Sequence, residues 1–162
     1  MHITKEDIFF LLEQNGISYE LAEHKAVYTI EEMKRLGLKH EDRIAKNLFI
    51  RDDKKRQYFL VTLEQEKQLD LKALQGKIGS RRLSFASETD LDRFLGLSKG
   101  EVTPFGMLND REHRVRLLID TVFQDSIIGV HPNENTATVW LRTEDLIRLI
   151  GQSGGSLEWI EG

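Results

Sequence analysis

The sequence predicts an α+β fold, a single domain over residues 1–162 with a mixed, curved central β-sheet flanked by helices. Stretches with apolar residues at helical spacing are interspersed with stretches that alternate apolar and polar residues, which is typical of strands. Two pairs of strand candidates follow each other across short polar turns, as in hairpins, so the order is not the strict βαβ alternation of a parallel sheet. No linker, repeat or low-complexity segment divides the chain.

Four helices are expected to begin at a hydroxyl-bearing N-cap residue with an acidic first turn after it. These N-cap residues are Thr4, Thr29, Ser87 and Thr143. Each helix is expected to end at a glycine, the residue that most easily adopts the left-handed conformation after a helix. These glycines are Gly16, Gly37, Gly96 and Gly151. A shorter helix is predicted for residues 70–75.

Seven strands are predicted from alternating patterns and from the turn residues around them. They cover residues 17–23, 43–51, 57–63, 114–119, 126–131, 136–142 and 157–160. The second and third strands are expected to form a hairpin across the charged segment 52–56. The fifth and sixth strands are expected to do the same across residues 132–135, whose composition is typical of a turn.

Composition narrows the class of protein. The 162 residues suit one core, and 40% hydrophobic with 31% charged residues is typical of a globular protein. No apolar run approaches the roughly 20 residues that span a bilayer, and the N-terminus lacks the features of a signal peptide, so we expect a cytoplasmic protein without a membrane partner. The absence of cysteine excludes disulfides, thiol nucleophiles and cysteine-ligated zinc. The net charge of −4 means that nucleic-acid binding would need a local basic patch.

The second predicted strand carries a lysine among apolar residues. Side chains two apart along a strand share a face, so Lys46 is expected on the same face as Ile44, Leu48 and Ile50. A buried charge without a partner is costly. The pattern therefore leaves two alternatives, a lysine that reaches water at the strand end or a lysine that lines a cavity.

The segment 96–110 is long for a connection in a compact domain. Its glycines allow backbone conformations closed to other residues, and Pro104 stiffens the span between them. Exposed main-chain N–H groups there could bind a carbonyl or phosphate oxygen. The alternative is an Ω-loop packed by Val102 and Phe105.

Few other residues indicate chemistry. The five histidines are scattered without ligand spacing, so no metal site is expected, and no cofactor is expected either. No nucleophile elbow and no phosphate-binding loop is present. His131 precedes Pro132 at a strand end, where its ring either faces a site or simply lies at the surface.

Four segments, in this order, carry a more specific signal: KNLF at 46–49, RLSFA at 82–86, GEVTPFG at 100–106 and HPNENTAT at 131–138. Together they resemble the YbaK family of aminoacyl-tRNA deacylases, which includes the editing domain inserted in bacterial prolyl-tRNA synthetases. The resemblance covers nearly the whole chain. It is closest to the free-standing branch that acts on alanyl-tRNA(Pro).

The resemblance implies an enzyme that hydrolyses the ester between a wrong amino acid and the 3′-terminal adenosine of tRNA. The expected partners are the acceptor stem of mischarged tRNA(Pro) and, transiently, prolyl-tRNA synthetase. The expected catalytic residue is Lys46. The expected substrate-binding residues are Tyr28, Thr29, Asn47, Gly100, Val102, Thr103, Pro104, Phe105, Gly106 and His131. Two alternatives stay open, a deacylase of cysteinyl-tRNA(Pro) and a non-catalytic tRNA-binding module of the same fold.

Overall fold

The computed structural model describes residues 2–161. Within this range the α-helices are α1 (Lys5–Gln14), α2 (Ile30–Arg35), α3 (Leu71–Ile78), α4 (Glu88–Leu95) and α5 (Thr143–Gln152). The strands are β1 (Tyr19–Glu23), β2 (Ala45–Asp52), β3 (Tyr58–Glu64), β4 (Leu83–Phe85), β5 (Val115–Asp120), β6 (Ile127–Val130), β7 (Ala137–Arg142) and β8 (Ser156–Ile160). Short 3₁₀ helices cover Glu41–Arg43, Pro104–Asn109 and Thr121–Phe123.

The strands form two sheets. The larger sheet has the order β4-β2-β3-β5-β8, in which β2 is antiparallel to β3 and β4, while β5 is parallel to β3 and β8. The smaller sheet has the order β1-β7-β6 and is antiparallel. The predicted α+β class, the mixed sheet and both hairpins are therefore confirmed, and the structure adds the division of the strands into two sheets.

Both faces of the larger sheet are buried. One face contributes Phe49 and Leu117 to the main core, where they join Val139 of the smaller sheet and residues of α1, α4 and α5. The other face packs Ile50 and Val61 in a second cluster with residues of α3. This two-sided burial explains why β3 is apolar at nearly every position, a pattern typical of a central strand.

The observed N-cap residues agree with the sequence-based prediction at three of four helices. Thr4 forms a complete capping box with Asp7, and Thr29 and Ser87 accept main-chain N–H bonds as N-caps of α2 and α4. The predicted N-cap at Thr143 is wrong. β7 runs directly into α5, so Thr143 is the first helical residue and its hydroxyl donates to the Ser126 carbonyl at 3.0 Å.

Other boundaries differ from the prediction. Gly151 does not end the last helix but lies inside it, since the left-handed conformation is adopted at Gly154, with φ +93°. The helix predicted for 70–75 extends through Ile78 and ends at Gly79, with φ +66°. β4 was missed as a strand because its three residues are too short for alternation to be visible. No helix among residues 2–161 is long and apolar enough to cross a bilayer.

Candidate active site

A cavity of about 280 Å³ lies between the start of β2 and three loops. The loops are the one before α2, the one that contains Gly100, and the one that begins at His131. Its size is just below the range of pockets that bind drug-sized molecules, so it suits a small group. The predicted site residues Tyr28, Thr29 and Val102 line it.

On the edge beside the cavity, β2 has no partner strand, in the part of the chain that the structure describes, between the bridge from Ile44 to Gly129 of β6 and the contact with β4. β4 pairs with β2 only from Ile50 to Asp52, and one further bond joins the Ala86 N–H to the Phe49 carbonyl at 3.0 Å. Main-chain groups of alternate residues in an antiparallel strand point to the same edge, so the N–H and C=O of Asn47 share the direction of the Phe49 carbonyl. They are a donor and an acceptor that a small ligand can use.

Lys46 lines the cavity, but its ammonium is turned to a neighbouring loop. Nζ donates a hydrogen bond to the main-chain carbonyl of Lys67, and the side chain is partly buried. It shares a face of β2 with Ile50, as predicted, whereas Ile44 packs in a separate cluster with Met33. The lysine thus lines a cavity, the second of the two sequence-based alternatives, and its ammonium is hydrogen-bonded to the protein.

Asn47 lies on the opposite face of β2 and is fixed in orientation. The hydroxyl of the buried Thr62 donates to Asn47 Oδ1 at 2.7 Å. With the carbonyl oxygen engaged, the side-chain amide has its Nδ2 donors available at the cavity.

Gly100 permits a close contact at the cavity mouth. Its φ of +86° is in the left-handed region, and a Cβ there would lie 2.4 Å from Cδ1 of Tyr28. The Tyr28 ring is 64% exposed, so it lies across Gly100 at the surface. Thr29 also lines the cavity, and its hydroxyl is engaged as the N-cap of α2.

Four predicted substrate-binding residues lie behind the cavity wall. They are Thr103, Pro104, Phe105 and Gly106. All four are buried, and the Phe105 ring belongs to the main core, because the segment turns inward as a 3₁₀ helix after Thr103. None of them is part of the cavity lining. The prediction that Phe105 lines the pocket is therefore corrected.

Side chains tie the three loops together. Thr103 Oγ1 donates to the His131 carbonyl at 2.5 Å. Asn135 Nδ2 donates to the carbonyl of Val27 at 2.8 Å, next to Tyr28. The buried polar residues of the Gly-Pro loop and of the HPNENTAT segment thus hold the cavity wall, and sequence alone gave no signal for these pairings.

His131 faces the cavity as a hydrogen-bond acceptor. Its Nδ1 lies 2.9 Å from the Ala137 carbonyl, which can only accept, so we assign the proton to Nδ1 and the lone pair to Nε2. Burial lowers the pKa of His131, partly opposed by the bond to Ala137, and His24 nearby lowers it further. The ring is therefore mostly neutral at pH 7.

The cavity also has an apolar part that sequence analysis did not assign to the site. Its members come from the loop before α2, from α2, from the start of β2 and from β6, and they are Val27, Ile30, Met33, Ile44 and Val130. Helical spacing predicts only that Ile30 and Met33 face the protein interior. Their position next to Tyr28 and Thr29 in the sequence was the one indication that they line the site. Among residues 2–161, no three His, Asp or Glu side chains converge as a potential metal-ligand set.

The fold and the cavity together define a class of protein, an α+β domain with the small cavity described above. This cavity combines an apolar part with a lysine, main-chain donors and a neutral histidine. A family model for the aminoacyl-tRNA editing domain matches residues 24–149. That match covers most of the chain, and the protein belongs to the aminoacyl-tRNA editing domain family.

Similar proteins agree with this family, and a solved structure shares the fold of this chain. The chain is 46% identical over 159 residues to the prolyl-tRNA editing protein ProX of Acetoanaerobium sticklandii, covering 98% of this chain and 97% of the relative. It is 34% identical to the prolyl-tRNA synthetase associated domain-containing protein 1 of Mus musculus, covering 86% and 85% of the two chains. A crystal structure of a candidate trans-editing enzyme for prolyl-tRNA synthetase has the same fold, with a TM-score of 0.70 at 17% identity over 100% and 99% of the chains.

Proposed function

We propose that this protein is a trans-editing deacylase that hydrolyses alanyl-tRNA(Pro) at the ester to the 3′-terminal adenosine. The observation that carries the proposal is the 46% identity to a prolyl-tRNA editing protein over nearly the whole chain. The cavity supports it because Lys46, Asn47, Gly100 and His131 all line one small space. The acceptor stem of tRNA(Pro) is the proposed partner, prolyl-tRNA synthetase a transient one, and the cytoplasm the proposed location.

An aminoacyl ester is already activated, so its hydrolysis needs little catalytic apparatus. Water attacks the ester carbonyl, and the negative charge that develops on the carbonyl oxygen is stabilised by main-chain N–H groups near Gly100. The bond from the acyl carbon to the ribose oxygen of the terminal adenosine then breaks, and that oxygen takes up the proton that the water loses. The ammonium of Lys46 adds positive charge at the same place. Asn47 Nδ2 and His131 Nε2 orient the substrate as donor and acceptor. We assign no general-base role to Lys46.

The cavity selects its substrate by size in this proposal. A synthetase site built for proline cannot strongly reject the smaller alanine, since a few methylenes are worth only about 1–3 kcal/mol. The apolar part of the editing cavity, which Ile30 and Met33 help to form, receives the alanine methyl group and is too small for the proline ring.

A deacylation panel tests the proposal with alanyl-, cysteinyl-, seryl- and prolyl-tRNA(Pro). We expect release of labelled alanine and no release of proline. Faster clearance of cysteine would assign the protein to the cysteinyl branch, and tight tRNA binding without deacylation would indicate a binding module.

Lys46→Ala is expected to lower the rate on the alanyl ester at least about 100-fold, within the range for one charge-stabilising group. Lys72→Ala, which removes an exposed lysine of α3, is the matched control and should keep the wild-type rate. A Lys46→Ala variant as fast as wild type would refute the catalytic assignment.

A further inference from the structure

The group that holds the Lys46 ammonium lies in a turn outside the cavity. The turn follows β3 and is closed by a hydrogen bond from the Lys67 N–H to the Glu64 carbonyl at 3.1 Å. The main-chain carbonyl of Lys67 accepts a hydrogen bond from Lys46 Nζ. The position of this carbonyl therefore sets the direction of the Lys46 side chain.

Asp120, the last residue of β5, fixes both ends of this turn. Its side chain is fully buried, and Oδ2 accepts the Glu64 N–H at 3.0 Å. Oδ1 and Oδ2 lie 3.0 Å and 2.9 Å from Lys67 Nζ. Oδ1 also accepts the N–H of Val122 at 3.1 Å. One carboxylate thus connects the turn to the end of β5 in the larger sheet.

The Asp120 carboxylate is charged in this arrangement. Burial by itself would raise its pKa, but the hydrogen bonds from Lys67, Glu64 and Val122 outweigh that effect and lower the pKa below its usual range. A buried charge of this kind is maintained only when it is paired and hydrogen-bonded. The Lys67 ammonium is its only charged partner among the contacts described above.

We propose that Lys67 and Asp120 are positioning residues for Lys46: their ion pair holds the Lys67 carbonyl where it binds one N–H of the Lys46 ammonium. Two N–H donors then remain for the substrate, in a fixed direction. This inference rests on the proposed function, because the direction of the Lys46 side chain matters only if Lys46 acts on the substrate. Neither residue belongs to the cavity lining, and sequence analysis singled out neither.

The physical reason is the freedom of an unbonded lysine. Its side chain has four rotatable bonds and a compact ammonium, so ordering it costs side-chain entropy. A carbonyl in a rigid turn restricts that motion before the substrate arrives. The gain is expressed in the reaction step, where the ammonium must meet a developing charge, more than in substrate binding.

Lys67→Met tests this, since it removes the ammonium but keeps the apolar stem and the main-chain carbonyl. We expect kcat on alanyl-tRNA(Pro) to fall about tenfold while KM stays within twofold. Arg116→Met is the matched control, because Arg116 and Glu158 form a 2.8 Å ion pair between β5 and β8 of the same sheet. This pair is partly exposed, so the control should lose less thermal stability than Lys67→Met and should keep kcat.

Two further measurements separate positioning from general stability. Lys67→Arg restores the ion pair and should recover kcat to within about threefold of wild type. Nuclear magnetic resonance of labelled lysine side chains should show the Lys46 ε-methylene signal sharpening in Lys67→Met and in Asp120→Asn, but not in Arg116→Met.

The outcomes distinguish this inference from the proposed function. An unchanged Lys46 signal and an unchanged kcat in Lys67→Met would overturn the positioning role. Loss of kcat that Lys67→Arg does not recover would also overturn it. If the wild-type protein releases no amino acid from any tRNA, the proposed function fails, while the Lys46 signal still decides whether the Lys67–Asp120 pair holds the side chain.

Discussion

At the scale of single residues, Lys46 and His131 are each oriented by a main-chain carbonyl, that of Lys67 and that of Ala137. Alternation along a strand placed Lys46 on the face of Ile50, which the structure confirms. The bond to Lys67 depends on a turn and on a buried aspartate more than fifty residues further along the chain. Such contacts depend on tertiary packing, and neither periodicity nor a local motif contains them.

The partly buried ring of His131 predicts a pH dependence of stability. Burial holds its pKa below the usual 6.5 in the folded protein, while the unfolded chain has the usual value. The unfolded state therefore binds more protons, so this contribution to stability is complete above about pH 6.5 and is lost as the pH falls towards the folded pKa. Urea unfolding between pH 7.5 and 5 should show a shallower decline for His131→Gln than for wild type.

Glutamine is chosen because its amide can still donate to the Ala137 carbonyl, and every other titrating group is the same in the two proteins. The difference between their unfolding free energies therefore reports on the His131 ring together with its interaction with His24. Equal slopes for the two proteins would contradict a burial penalty on the protonated form.

At the scale of elements, most helices and strands could be predicted because their signals are local. Capping residues and helical spacing predicted α1, α2 and α4, and polar turns predicted both hairpins. Two features could not be predicted. The cavity beside β2 exists because β4 is too short to cover that edge, and Phe105 is buried because its segment turns into the core.

The apolar face of α2 predicts how the size limit can be changed. Met33 is 4% exposed and lines the cavity, so Met33→Ala should enlarge the cavity and allow the proline ring to enter. We expect hydrolysis of prolyl-tRNA(Pro) to rise about tenfold, with a loss of about 2–5 kcal/mol in unfolding free energy from the removed packing. Deacylation rates on prolyl and alanyl esters measure the change.

Met33→Leu is the control because it nearly conserves volume. It should keep the wild-type preference for alanine. If Met33→Ala remains folded and still excludes proline, the apolar part of the cavity does not set the size limit.

At the scale of the whole molecule, the net charge of −4 offers no general attraction to a polyanion. Phosphate contacts must therefore come from exposed cations near the cavity. Lys99 is exposed and directly precedes Gly100, whereas Lys54 is exposed at the far end of the β2–β3 hairpin. At about 3.3 Å per residue, the hairpin tip is roughly 20 Å or more from Lys46.

This difference predicts unequal effects of two otherwise similar substitutions. Each phosphate contact that is lost lowers the salt dependence of binding by about one unit in the slope of log affinity against log salt. Lys99→Met should weaken tRNA(Pro) binding and reduce that slope by about one, because the acceptor end must pass close to the cavity mouth. Lys54→Met should change neither quantity. Binding titrations from about 50 to 300 mM salt compare the two variants directly. A larger effect at Lys54 would mean that the acceptor stem follows the hairpin tip and would contradict a phosphate contact at Lys99.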